Sequence, residues 1–327
     1  MVVSAPPTLE RNELVNETPR LDVAAAFELR SAELVRSAER AAGDDDASAL
    51  LELRVAARRL RAAVELFESA LPKRLHRRAS KALKRLSRIG ARAGDVQHVL
   101  LAEAHTASAD LAEKATIEHV LEQVDAERAA TRPSLLQKIE SIGAAHVAAV
   151  LERLAEKAAA EARPKRRARR IFKIFDGLID DAFAALPDRT ALESPDALER
   201  AHTSVRALRY ALEALVPSLG NVAELVRPIA ELEQALGTLL DRSELLSMLD
   251  EQRASLVRNS RSVLADQIAR LVERTRGQNR ALGDRAVTLA QKLDRERLIA
   301  ELRSALGVKP KGRNGQEHDD ADSGNGN

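Results

Sequence analysis

Apolar residues in this chain of 327 residues recur at intervals of three and four, not two, from about residue 22 to residue 305. That spacing lays one apolar stripe along each of a series of α-helices and does not suit half-buried strands. Ala, Leu, Glu and Arg dominate, and β-branched or aromatic runs are few. The expected fold class is therefore all-α, with a core of Leu, Ala, Val and Ile. Breaks in the pattern fall at 43–46, 71–72, 90–95, 132–133, 163–164, 187–195, 217–221 and 237–241. They predict helices near 22–42, 46–70, 73–89, 95–130, 134–161, 166–185, 196–215, 222–236, 242–276 and 279–305. Ser194-Pro195-Asp196 carries helix-start chemistry. Pro72, Pro187 and Pro217 follow helix ends, where a missing N–H costs little. Residues 1–21 and 306–327 are polar and are expected to form disordered tails.

What is missing narrows the function. There is no Cys, so no disulfide framework, thiol nucleophile or Cys-ligated metal is available. One Tyr, five Phe and no Trp give no platform for stacking single-stranded bases. No signal-like N-terminus and no apolar run of membrane-spanning length occurs, so the expectation is a cytoplasmic protein with no membrane partner. No Gly-rich phosphate loop and no nucleophile elbow is present. The seven His show no metal-ligand spacing, although His98 and His105 share a helix face. No catalytic residue, metal or cofactor is expected. Asp95 and Asp241, at breaks in the two halves of the chain, are the one carboxylate pair to watch, and helix capping is their plainer reading.

The near-neutral total, +2, hides a strong partition of charge. Residues 51–92 carry a net +10 and residues 163–173 a net +7, which leaves the rest of the chain strongly acidic. Arg54, Arg58 and Arg61 fall on one helical stripe. Arg74, Arg77, Lys81, Lys84, Arg85, Arg88 and Arg92 run along one face of the next helix with no interleaved Glu. Like charges at i, i+4 repel by a few tenths of a kcal/mol per pair, so the stripe calls for an anionic partner. Arg predominates, which suits planar, multi-donor contact with phosphate oxygens. The run at 163–173 is a second basic patch, at a position where cations oppose the helix dipole. It suits a nucleic-acid or membrane-surface patch, or equally a basic helix start.

The chain also repeats itself. Residues 54–67 align with 202–215 at an offset of 148, with identities at Arg58/Arg206, Leu60/Leu208, Arg61/Arg209, Ala63/Ala211 and Glu65/Glu213. A Gly and an Asp follow in both halves, as Gly90 with Asp95 and Gly237 with Asp241. The expectation is a duplicated helical unit over 22–305, with half-units of about 22–160 and 161–305.

These residues resemble a known family. Arg54-Val55-Ala56-Ala57-Arg58-Arg59-Leu60-Arg61, then a basic helix and Arg92-Ala93-Gly94-Asp95, is similar to the first half of CHAD domains, the conserved histidine α-helical domains. Arg206-Ala207-Leu208-Arg209-Tyr210, with Gly237 to Asp241 downstream, is similar to the second half. The resemblance implies two pseudo-twofold-related four-helix bundles of long antiparallel helices around a basic central cavity. It also implies binding of inorganic polyphosphate, with location at polyphosphate granules. Carried over, the candidate ligands are Arg54, Arg58, Arg61, Lys81, Arg85, Arg88, Arg92, Arg206 and Arg209; the wider charged face adds Arg74, Arg77 and Lys84. The chain departs from the family at both signature histidines, whose positions hold Leu51 and Glu199. His202 and Ala207 stand where the second motif has basic residues, and Ala93 replaces an Asp.

The leading expectation is thus a non-catalytic polyphosphate-binding protein. The alternatives are a degenerate helical scaffold without that ligand and, less favoured, a nucleic-acid binder using the same Arg stripe.

Overall fold

The three-and-four spacing folds into helices throughout. The computed structural model describes residue 19 and residues 21–43, 47–89, 94–160, 164–189, 192 and 194–309, leaving aside the side chains of 154–160. In order these form α1 (Val23–Gly43), α2 (Ala47–Leu66), α3 (Lys73–Leu86), α4 (Asp95–Ala107), α5 (Leu111–Ile142) and α6 (Ala144–Ala160). The second half holds α7 (Pro164–Ala184), α8 (Pro195–Leu215), α9 (Ala223–Arg258), α10 (Ser262–Gln291) and α11 (Arg295–Ala305). No strand occurs among the described residues. Ser194 caps α8, its hydroxyl accepting from the Ala197 N–H, and Asp110 and Asp294 cap α5 and α11 in the same way.

The element order repeats. Moved on by 148 residues, α1 and α2 fall on α7 and α8, α5 and α6 on α10 and α11, and α3 with α4 on the single long α9. The neighbours repeat too: α1 packs on α2 and α6 as α7 packs on α8 and α11, and α4 packs on α5 as α9 packs on α10. Both apolar cores draw on both halves. The main one joins every helix except α4, through residues such as Phe27, Leu60, Leu83, Phe175, Leu212 and Leu236. A smaller one at the far end joins α4, α5, α9 and α10 through Leu101, Ile117, Leu249 and Ile268. Leu21 and Leu306, just outside the expected ordered span, are buried in the main core, while 1–18 and 310–327 lie outside the described residues.

Several expected breaks are not breaks. α5 runs straight through Pro133. Val120 and Val124 anchor it in the smaller core and Leu135 and Ile139 in the main one. Burying those four side chains at about 1.5–3 kcal/mol each outweighs the roughly 3 kcal/mol of an internal proline. Thr131 donates to the carbonyls of Glu127 and Arg128 beside it. α9 likewise passes through Gly237 and Asp241, because it spans both cores. Gly237 is there for closeness, not for a turn: a Cβ would lie 3.1 Å from Nε2 of His202 on α8. The chain turns instead at Ser108–Asp110, at Gly143 (φ +68°) and at 259–261, so the expected helix 95–130 is two helices. Gly277, expected near a break, sits inside α10.

α8 and α9 are clamped by a buried carboxylate. Glu233 accepts from Arg209 at 2.6 Å and is 3.1 Å from His202 Nε2. Burial alone would raise the Glu233 carboxyl, but His202 and Arg209 outweigh it and hold it below its ordinary value. Glu233→Ala leaves Arg209 and His202 without that partner and should cost about 3–5 kcal/mol of unfolding free energy. Because the folded value is depressed, this contribution is present above the unfolded carboxyl value and is lost as pH falls through the folded one. Denaturant unfolding across a pH series should show a shallower acid limb in the variant; equal stability and equal slope would contradict the clamp.

Candidate functional site

The seam between α2 and α8 collects positive charge because each helix turns a basic stripe toward it. α2 carries Arg54, Arg58, Arg59 and Arg61, and α8 carries Arg206 and Arg209. Arg58 stands between two of the others in its effect, pressing on both Arg54 and Arg206. Burial first, and then the charge of Arg58, push both Arg54 and Arg206 below the usual arginine value, and Arg61 adds to the effect on Arg206. Among the described residues no carboxylate lies within 4 Å of Arg54, Arg58 or Arg206, and the Nε atoms of Arg54 and Arg58 are buried without a hydrogen-bond partner.

Three carboxylates act on Arg54 without contacting it. Asp95 at the start of α4, and Asp241 and Glu244 on α9, all act on it at longer range. Burial raises all three acids above the usual carboxylate range. Neither Asp of the watched pair caps a helix. The cap of α4 is Gly94 (φ +77°), Asp95 accepts from Arg128 Nε at 3.0 Å, and Asp241 lies inside α9. Asp95 is 3% exposed, and its second oxygen is buried without a partner.

The other cations of the seam are already answered. Arg209 is bound by Glu213 at 2.8 Å and by Glu233, which hold its charged form despite burial. Arg59 lies 2.9 Å from Glu213, an ion pair without hydrogen-bond geometry. Arg30 reaches the same carboxylate at 3.5 Å. Tyr210 sits between Arg59 and Arg209, each guanidinium 5.8 Å from its ring centre. Arg61 pairs with Glu65 one turn along α2. Of the expected ligands, Arg54, Arg58 and Arg206 are therefore brought together uncompensated, whereas Arg61 and Arg209 are engaged within the chain.

α3 lies against α2 through Ala79, Leu83 and Leu86. Its Arg74, Arg77, Lys81, Lys84 and Arg85, and Arg88 in the turn after it, are exposed, with no carboxylate within 4 Å among the described residues. Arg92 lies outside the described residues. His98 and His105 both bridge α4 to α5, reaching Asp125 at 2.7 Å and Glu118 at 2.8 Å. No group of three or more potential metal ligands occurs among the described residues, and no described helix is long and apolar enough to cross a membrane. One groove of about 560 Å³ lies between α1 and α2, lined by Glu33, Arg36, Leu51 and Arg59. Another of about 580 Å³ lies by α9 and α11. Neither is lined by Arg54, Arg58, Arg206 or the cations of α3.

The acids of this site were not legible as partners in the sequence. Glu213 is visible in the repeat, but Glu233 and Glu244 have no motif. Only the packing of α9 on α8 and α4 brings them to the seam.

A family model for the CHAD domain matches residues 25–250. The fold is similar to the crystal structure of the CHAD domain from the plant Ricinus communis. That match has a TM-score of 0.55 and 18% identity, and covers 88% of this chain and 93% of that one. It is also similar to PptA from Streptomyces chartreusis, with a TM-score of 0.53, 21% identity and coverage of 83% and 98%. Comparison with curated protein sequences gives no match. The family match spans more than half of the chain, which therefore belongs to the CHAD domain family.

Proposed function

We propose that this protein binds inorganic polyphosphate without transforming it, through Arg54, Arg58 and Arg206 at the α2–α8 seam together with the exposed cations of α3. The observation that carries this reading is the crowded trio itself. Burial and then the charge of Arg58 disfavour the charged states of Arg54 and Arg206, no carboxylate contacts any of the three, and a polymer of ionised phosphates supplies the missing counter-charge. The family's association with polyphosphate supports the same ligand, and location at polyphosphate granules follows from it. In this reading residues 22–160 and 161–305 are two copies of one helical unit around a basic cavity, the seam being where they meet. The absent aromatic platform and the carboxylates beside Arg54 disfavour nucleic acid.

A helical scaffold without this ligand is the second reading. It is favoured by the engagement of Arg209 with Glu213 and Glu233, which leaves Arg206 as the second half's free cation at the seam.

Calorimetric titration with long-chain polyphosphate at two salt concentrations, with duplex DNA as competitor, separates the readings. Polyphosphate should bind with an affinity that falls steeply with salt, and DNA should not displace it. Arg58→Ala and Arg206→Ala should each weaken binding by about 1–3 kcal/mol, the range for charge-assisted hydrogen bonds. No binding leaves the scaffold, and full affinity with Arg58→Ala and Arg206→Ala combined overturns the assignment of the ligand to the seam.

The carboxylates give the site a pH dependence of defined sign. Asp95, Asp241 and Glu244 compete with phosphate for Arg54, and burial makes them take up protons at higher pH than ordinary acids. Polyphosphate affinity should therefore rise as pH falls from neutral toward the acids' raised values. Asp241→Asn should bind more tightly than wild type at neutral pH and respond less to acidification. A wild-type affinity that is flat or falls over the same range overturns the assignment.

A further inference from the structure

α7 presents to solvent a face that the polyphosphate reading leaves unused. Its inner side, Ala168, Ile171, Phe175, Ile179 and Ala182, is buried. Its outer side is divided by charge. Lys165, Arg166, Arg169, Arg170 and Lys173 occupy the N-terminal half, Asp176, Asp180 and Asp181 the C-terminal half, and all are exposed. Both halves oppose the helix dipole, which favours acids at the start and cations at the end. The chain supplies little compensation: Arg170 is 3.6 Å from Glu68, and Asp180 accepts from Arg295. Lys165, Arg166, Arg169, Lys173, Asp176 and Asp181 have no ion partner within 4 Å among the described residues.

A second observation falls on the same face. Gly177 is exposed in the middle of the helix, and a Cβ added there would meet nothing within 4 Å. Nothing in the fold requires a glycine that costs a helix interior about 1 kcal/mol. A bare backbone at an exposed helix position suits the close approach of another chain.

We propose that two copies of this chain pair through α7, antiparallel, about a twofold axis at the level of residue 175. The pattern is self-complementary in that arrangement and in no parallel one. Arg169 faces Asp181 of the partner subunit, and Lys173 lies across Gly177 of the partner subunit beside Asp176 of the partner subunit. The symmetry makes each contact twice. The opposed dipoles of the two helices also place each helix's misplaced charges against the favourable end of the other. A polyanion does not fit the face as well, because Asp176, Asp180 and Asp181 repel it along half of the length. Such an interface is mostly ionic and therefore weak and sensitive to salt.

The test is sedimentation equilibrium of the full chain, free of polyanions, at low and high salt. A dimer is expected at low salt, weakened about tenfold or more at high salt. Two double variants reverse the charges that lack partners in the chain: Arg169→Glu with Lys173→Glu, and Asp176→Lys with Asp181→Lys. Each alone sets like charges against one another at the contacts Arg169 and Lys173 make with Asp181 and Asp176 of the partner subunit, and should be monomeric where wild type is dimeric. Mixed in equal amounts, they should associate, since each then meets its complement. Association on mixing also shows that both variants are folded. A monomeric wild type at low salt, a double variant that dimerises alone as wild type does, or a mixture that stays monomeric overturns the proposal. None of these substitutions touches α2, α3 or α8, so the outcome is independent of polyphosphate binding.

Discussion

Glu213 and Glu233 decide how much positive charge the α2–α8 seam can hold. Packing those two helices brings six arginines into a partly buried space, and unpaired buried charges of one sign cannot be sustained in number. The two carboxylates take up Arg30, Arg59, Arg209 and His202, and in doing so tie α1, α2, α8 and α9 together. Neither contacts Arg54, Arg58 or Arg206, although the charge of Glu233 acts on Arg206 at longer range. The paired and the contact-free cations of the seam are thus sorted by their distance from carboxylates, not by residue type.

The same sorting explains why the charge pattern alone identifies the region but not the ligands. The α2 stripe and the repeat at 202–215 show in the sequence that arginines of the two halves correspond. They do not show that Arg61 has Glu65 one turn away as its partner, or that Arg209 meets an acid 24 residues later on another helix. The all-α class, the start of α8 and the order of the repeat were legible because they rest on local spacing and capping. The passages through Pro133 and Gly237 were not, since long-range burial of Leu135 and Ile139, and the fit of His202 against α9, override local punctuation. The turns at Ser108–Asp110 and at 259–261 carry no proline, and their helices end where the smaller core ends.

The departures from the family acquire a physical sense in this setting. Leu51 faces the α1–α2 groove with Arg59 and Arg36, so the first missing histidine removes a polar group from that side of α2. Glu199, at the second histidine's position on α8, raises the neighbouring Glu244 by its like charge. The site is therefore graded. Its α2 and α3 side is cationic, and its α9 side, with Asp241 and Glu244 beside Glu199 of α8, is acidic. Asp241 feels Arg54, Arg58 and His202 together, which places it at the boundary between the two. If the proposed polyphosphate ligand binds here, such a gradient would hold it from the α2 and α3 side and turn it away from α9. In the proposed reading the carboxylates would then fix where along the seam the polymer lies, and the arginines how firmly it is held.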